Sequence, residues 1–273
     1  MNSDQKALMQ RWEGFLGKID GRLGEIIAEV AQGIAALGQS HGADTMPLTN
    51  AMSGLDHRVR QLREKIGETW DGQVEGQFSS HDSGGFLDAG LDRKRDFEIA
   101  FDEKWELAKT KAVADYFRAL WPRAQQALAA PVGCTRCGAQ LALPVRHKSS
   151  TATCASCGTV NQCIPDAVIQ AYFGQGVQAF AEEASAPIRY QIERFREEVD
   201  RWRRARDWAP ETLETLERWQ GMERSYWETQ ATTRAQMLQE PADRAFVETR
   251  MDQFRKYSLE SEQVWVRAHG RQG

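Results

Sequence analysis

The chain has 273 residues, of which 41% are hydrophobic and 27% charged, with a formal net charge of −4. That length holds one large domain or two ordinary ones with a real core, and the apolar content excludes wholesale disorder. The slight acidic balance excludes a general attraction to phosphate backbones or anionic lipid, so any nucleic-acid contact must be local.

At the N-terminus, MNSDQKALMQRWEGF interrupts every apolar stretch with charge and lacks the h-region of a signal peptide. No window approaches the ~18 apolar residues of a membrane span. The best one, Ile26 to Leu37, is broken by Glu29 and Gln32. A cytoplasmic location is expected, where five cysteines point to thiolate chemistry or metal rather than to disulfides.

Large apolar residues fall at Trp12, Leu16, Ile19, Leu23, Ile26 and Val30, and resume at Leu37, the alternating spacing of a coiled-coil seam. After the turn-rich GQSHGADTMP, a second seam follows at Leu48, Met52, Leu55, Val59, Leu62 and Ile66. An antiparallel helical hairpin is predicted, with arms of roughly 30 to 40 Å. The first arm also carries Gly14, Gly17, Gly21, Gly24, Ala28, Ala31, Ala35 and Gly38 on the face opposite its seam. Each interior glycine costs a helix about 1 kcal/mol, so something is expected to approach that face. Another helix of this chain or of a second copy fits the small residues, and engagement with a membrane is the alternative.

SSHDSGGFLDAG, over 79–90, mixes Gly, Ser and Asp without periodicity and is expected as a flexible loop. Helical spacing returns with Phe97, Phe101, Trp105, Ala108, Ala112, Tyr116 and Leu120, an aromatic face suited to a core. Pro122 is expected to kink or end that helix. Beyond the cysteines, Asp166 is placed to cap a helix through Ala184, and Pro187 to start another carrying Ile188, Ile192, Phe195, Val199 and Trp202. Pro210 and Pro241 are read as first-turn residues of two more, with Leu213, Leu216, Met222 and Trp227, then Phe246, Met251 and Phe254, turned inward. The fold class is therefore mainly α: long helices in a coiled-coil-like hairpin and bundle, with one small β insertion at the cysteines. The reading divides the chain into a hairpin (1–78), a loop (79–90), an aromatic-rich helix (91–130), a cysteine insertion (131–165) and a C-terminal helical region (166–273).

The insertion reads VGCTRCGAQLALPVRHKSSTATCASCGTVNQC, two C-x-x-C pairs with sixteen residues between them. Two close pairs let two turns each present two thiolates to one tetrahedral cation, and that spacing points to zinc held by Cys134, Cys137, Cys154 and Cys157. Gly138 and Gly158 follow the pairs and let each turn curl back so that backbone N–H groups face the sulfurs. LALPVRH, STATC and GTVNQC carry strand-forming residues. CTRCG and CASCG resemble the two knuckles of the zinc-ribbon family, over about 131–165, with the linking segment resembling its hairpin. The resemblance implies ligation by those four cysteines and, because such ribbons serve many proteins, no particular activity. Cys163 is expected as a packed thiol and His147 as an exposed residue of the hairpin loop.

A four-thiolate shell leaves no open coordination position, so the one Zn²⁺ is expected to be structural. No phosphate-binding, dinucleotide-binding or zinc-protease motif occurs in the sequence. These observations point to a noncatalytic zinc-binding scaffold or adaptor that acts through protein–protein contacts, self-association included. A nucleic-acid-binding regulator is one alternative, on Arg136, Arg146 and Lys148, and a membrane-active effector using Gly14 to Gly38 is another. The basic run Arg201, Arg203, Arg204 and Arg206 is flanked by Glu197, Glu198, Asp200 and Asp207, as expected of a salt-bridged helix face.

Overall fold

A computed structural model of the protein describes residues 1–206 and 211–259. Asp207 and Pro210, which enter the reading above, lie outside the described residues. The architecture is mainly α with one small antiparallel insertion, as the patterning predicts. Helix α1 spans Ser3–His41, α2 Met46–Thr69, α3 Glu75–Ser80 and α4 Phe86–Ala129. Strands β1 (Ser150–Thr153) and β2 (Val160–Cys163) follow, and then α5 (Ala167–Ala171), α6 (Val177–Arg204), α7 (Leu213–Leu238) and α8 (Arg244–Phe254). Single π-helical turns at Trp70–Val74, Tyr172–Gly176 and Arg255–Leu259 continue α2, α5 and α8.

Asn2 starts α1 with a reciprocal cap: its side chain accepts from the Gln5 N–H at 2.9 Å while the Gln5 side chain accepts from its own N–H at 2.8 Å. With 39 residues α1 is about 58 Å long, well beyond the expected arm. It ends at Gly42, whose φ of +63° suits glycine and whose α-carbon faces the Arg123 guanidinium. The Tyr116 hydroxyl donates to the carbonyls of Gly42 and Asp44, pinning the α1–α2 turn to α4. Tyr116 is fully buried there, and its burial pushes its own pKa upward.

Ion pairs fix the helix directions. Glu29 meets Arg58 at 2.7 Å, so α1 and α2 run antiparallel as the hairpin reading expects. Glu13 meets Arg93 at 3.5 Å and Asp20 meets Lys104 at 2.7 Å, so α1 and α4 run in the same direction. Arg63 meets Glu98 at 2.6 Å and the Trp105 indole donates to Asp56 at 3.0 Å, closing an up-down-up bundle. The seam residues Trp12, Leu16, Ile19, Leu23, Ile26 and Val30 are all buried in it. Arg201 to Asp96, at 2.6 Å, then lays α6 antiparallel on α4, and Ser185 with Gln230, at 3.1 Å, pairs α6 with α7.

Several boundaries differ from the sequence reading. The expected 79–90 loop contracts to 81–85, because Phe86 is buried and stacks on Phe78 with ring centroids 4.4 Å apart. Pro122 and Pro187 lie inside α4 and α6 without ending either helix. Each proline forgoes one backbone hydrogen bond, and the buried residues around them (Leu120 and Ala124, Ser185 and Ala186) hold the helices together. Pro241 precedes α8 instead of opening it; the cap is Asp243, whose carboxylate accepts from the Phe246 N–H at 2.9 Å. Among the described residues nothing lies within 4 Å of where a side chain at Gly14, Gly17, Gly21 or Gly24 would begin, whereas Gly38 is packed against Tyr116 and Ala119.

Candidate metal centre

The insertion leaves α4 at Ala129 and returns at Asp166, whose carboxylate caps α5 through the Val168 N–H at 2.9 Å. Two near-identical turns build the site. In the first, the Cys134 N–H donates to the Ala139 carbonyl at 2.8 Å and the Gly138 N–H to the Cys134 carbonyl at 2.9 Å. In the second, the Cys154 N–H donates to Thr159 and the Gly158 N–H to Cys154, both at 2.9 Å. Gly138 and Gly158 take φ of +72° and +70°, the left-handed conformation that the chain reversal after each pair requires.

These turns converge. The four sulfurs of Cys134, Cys137, Cys154 and Cys157 all lie within 4.8 Å of one another, with Cys134 to Cys157 and Cys137 to Cys154 each at 3.6 Å. A disulfide needs about 2.05 Å between sulfurs, so these are four free thiols. A tetrahedral ion bonded to sulfur at about 2.3 Å sets its ligands about 3.8 Å apart. The cluster fits one such ion. Cys134 and Cys154 are buried, Cys157 is half-buried and Cys137 is exposed.

The electrostatics agree with a cation at the centre. The N–H groups of Arg136 and Cys137 hold the Cys134 thiol down at about 6, against burial and with help from the Asn161 amide. Thr159, whose hydroxyl oxygen lies 3.3 Å from the Cys157 sulfur, lowers that thiol as well. The Ala139 N–H favours ionisation of Cys137, but the neighbouring sulfurs of Cys157 and Cys154 push it up to about 12. Negative sulfurs at this spacing cannot all ionise unless a positive charge sits among them.

Strands β1 and β2 pair antiparallel, Ser150 opposite Cys163 and Thr153 opposite Val160. The LALPVRH segment, expected as a strand, forms none; its Leu141 N–H donates to the Val132 carbonyl at 2.8 Å, next to an isolated bridge between Gly133 and Gln140. Cys163 is buried with Leu141, Cys134 and Cys154 and lies outside the sulfur cluster, in keeping with a packed thiol. His147 is not the exposed loop residue expected. Its ring stacks on Phe173 with centroids 4.8 Å apart, its Nε2 is buried 3.9 Å from Glu240, and burial lowers its pKa.

The loop around His147 is the insertion's anchor. Arg146 donates to the Ala130 carbonyl at the end of α4, and Lys148 pairs with Glu240 just after α7. One tripeptide thus touches the end of the N-terminal bundle, the π-turn before α6 and the α7–α8 connection. Sequence reasoning also missed Asn161, only 2% exposed, which contacts both cysteine turns. An inward-facing asparagine beside the second C-x-x-C was its only trace in the sequence. Comparison with protein-family models, curated proteins and solved structures finds no match to the chain.

Proposed function

We propose that the chain is a noncatalytic helical scaffold in which one structural Zn²⁺, held by Cys134, Cys137, Cys154 and Cys157, closes a zinc ribbon that braces the two helical halves. The observation that carries this reading is a four-sulfur cluster whose intervening loop touches three helical elements at Arg146, His147 and Lys148. Zinc here contributes an apparent ~10–16 kcal/mol to folding of the ribbon and, with four protein ligands, leaves no position for substrate or water. Five thiols outside any disulfide suit a reducing compartment, and we place the protein in the cytoplasm.

Its partner is protein, a second copy included. The outward face of α1 is exposed along Gly14, Gly17 and Gly21, where an added side chain would meet nothing. An antiparallel copy of α1 would set Gly14 against Ala31, Gly17 against Ala28 and Gly21 against Gly24. Two residues off that register Lys18 comes level with Glu29, which Arg58 also engages within the chain, and Arg22 with Glu25, so opposite charges flank the small residues. Among the described residues no ion pair engages Lys18, Arg22 or Glu25. Lipid is disfavoured because the apolar side of α1 is buried within the bundle, and among the described residues no helix is long and apolar enough to cross a membrane. Nucleic acid is disfavoured because Arg146 and Lys148 are engaged by Ala130 and Glu240.

Elemental analysis of the purified chain should find one zinc per polypeptide in the wild type and none in a Cys134→Ser, Cys154→Ser double variant. Light scattering should show a mass that falls on dilution, and Gly21→Glu should abolish that dependence. A metal-free wild type ends the zinc reading; a strict monomer at all concentrations ends self-association.

A further inference from the structure

We propose that Asn161 is a positioning residue that holds the two cysteine turns in register and sets how firmly they keep their metal. The inference rests on the metal reading above. Asn161 lies on β2, facing inward. A carboxamide offers two donor hydrogens and two acceptor lone pairs, and here all four are engaged. Its Oδ1 accepts from the backbone N–H of Thr135 and from the Thr135 hydroxyl, each at 2.9 Å. Its Nδ2 donates to the Thr159 carbonyl at 2.9 Å and turns its second hydrogen toward the Cys134 sulfur at 3.6 Å.

Chemistry fixes the orientation of this amide. The Thr135 N–H can only donate and the Thr159 carbonyl can only accept, so oxygen and nitrogen cannot exchange places. Thr135 follows Cys134 in the first turn and Thr159 follows the second, and a single side chain therefore spans both. The forced orientation delivers an N–H to a sulfur that already receives the Arg136 N–H at 3.5 Å. Four thiolates around a divalent ion carry a net charge of about −2 in a partly desolvated site, and each N–H aimed at sulfur spreads that charge. No shorter side chain reaches both turns. Aspartate keeps the Thr135 contacts but replaces the donor with a negative charge against both the sulfur and the Thr159 carbonyl.

The test uses the full chain as wild type, Asn161→Ala, Asn161→Asp and Thr135→Val, loaded with Zn²⁺ for release kinetics under a chelator and with Co²⁺ for spectroscopy. Asn161→Ala and Asn161→Asp should release zinc on the order of 10- to 100-fold faster than wild type. Their cobalt forms should show the sulfur-to-metal charge-transfer band at lower energy, since a sulfur without its N–H donor gives up electron density more readily. Thr135→Val removes one arm of the clamp and not the donor, so it should speed release by less than about tenfold with the band unmoved. Failure of either Asn161 variant to load metal, with helical circular dichroism intact, is the same effect in its extreme form. Variants that hold one metal with wild-type release and an unshifted band overturn the inference. A wild type that takes up no stoichiometric metal instead sinks the metal reading, so the two failures are told apart.

Discussion

The N-terminal bundle and the C-terminal helices both carry apolar residues at helical spacing, yet they are held together differently. In the bundle one apolar cluster runs from Leu8 through Trp70, Phe78 and Leu120 to Phe180. Around α7 and α8 the apolar cluster reduces to Leu216, Ala231, Val247, Met251 and Phe254, and the buried positions include Ser185, Glu211, Glu223 and Gln230. Arginine fills the space that apolar residues leave. Arg196 lies 4.0 Å over the Trp219 ring, Arg218 4.6 Å over Phe195, and Arg250 5.1 Å over Trp227. Such contacts contribute about 0.5–1 kcal/mol each when exposed and about 2 when desolvated. Apolar burial is non-directional and tolerant; the C-terminal region depends on charges that must meet specific partners.

The largest effects should come from removing the centrepiece of each region. Phe78 is 1% exposed, stacks on Phe86 and lies against Trp70, so Phe78→Ala should cost about 3–5 kcal/mol in denaturant unfolding. Glu211 has no exposed side-chain surface, and it accepts from both Arg196 nitrogens at 2.9 Å and from Arg203 at 3.2 Å. Glu211→Gln takes the counter-charge from Arg196 and weakens the pairing of Arg203, which keeps Asp200 at 3.9 Å, and should cost about 3 kcal/mol, the low end for a broken buried pair because both arginines keep some access to water. A Glu211→Gln chain as stable as wild type would erase the distinction between the regions. Next in size is Gly90→Ala: the added methyl would meet the Phe78 ring at 2.5 Å and Trp70 at 2.7 Å, and overpacking of that kind should cost about 1–3 kcal/mol.

The same contrast decides what the sequence makes legible. A heptad stripe such as Leu16–Ile19–Leu23 announces a buried face because apolar burial needs only periodicity. It does not name the partner, which is why the parallel pairing of α1 with α4, fixed by Asp20 with Lys104, was not foreseen. The clustering of the four cysteines was legible because two turns can each offer two sulfurs to one point only at C-x-x-C spacing. Asn161 and His147 were not, since their roles depend on Thr135 and Phe173, brought near by folding. Glu211 looks like any surface carboxylate until Arg196 and Arg203 converge on it. Pro122 and Pro187 misled because the local cost of proline, about 3 kcal/mol, was outweighed by tertiary packing that a single-sequence window does not contain.

The smallest effect expected is also the one that separates the two regions most cleanly, because it runs opposite to the usual cost of mutation. Glu223 is 9% exposed on α7, and burial raises its pKa above the ordinary 4.5, against the pull of Arg189 and Trp219 and with added repulsion from Glu193. The folded chain therefore binds this proton more tightly than the unfolded chain does. That stabilisation is complete below the unfolded pKa and disappears as pH rises through the folded one, leaving the native state at neutral pH with a buried charge it would rather not carry. Glu223→Gln keeps a carbonyl near the Trp219 indole and removes the ionisation. The melting temperature should rise by about 1–3 °C at pH 7 and be unchanged at about pH 4. A lower melting temperature at pH 7 would mean that Glu223 acts as a working partner of Arg189, and that the C-terminal charge network is more complete than its burial indicates.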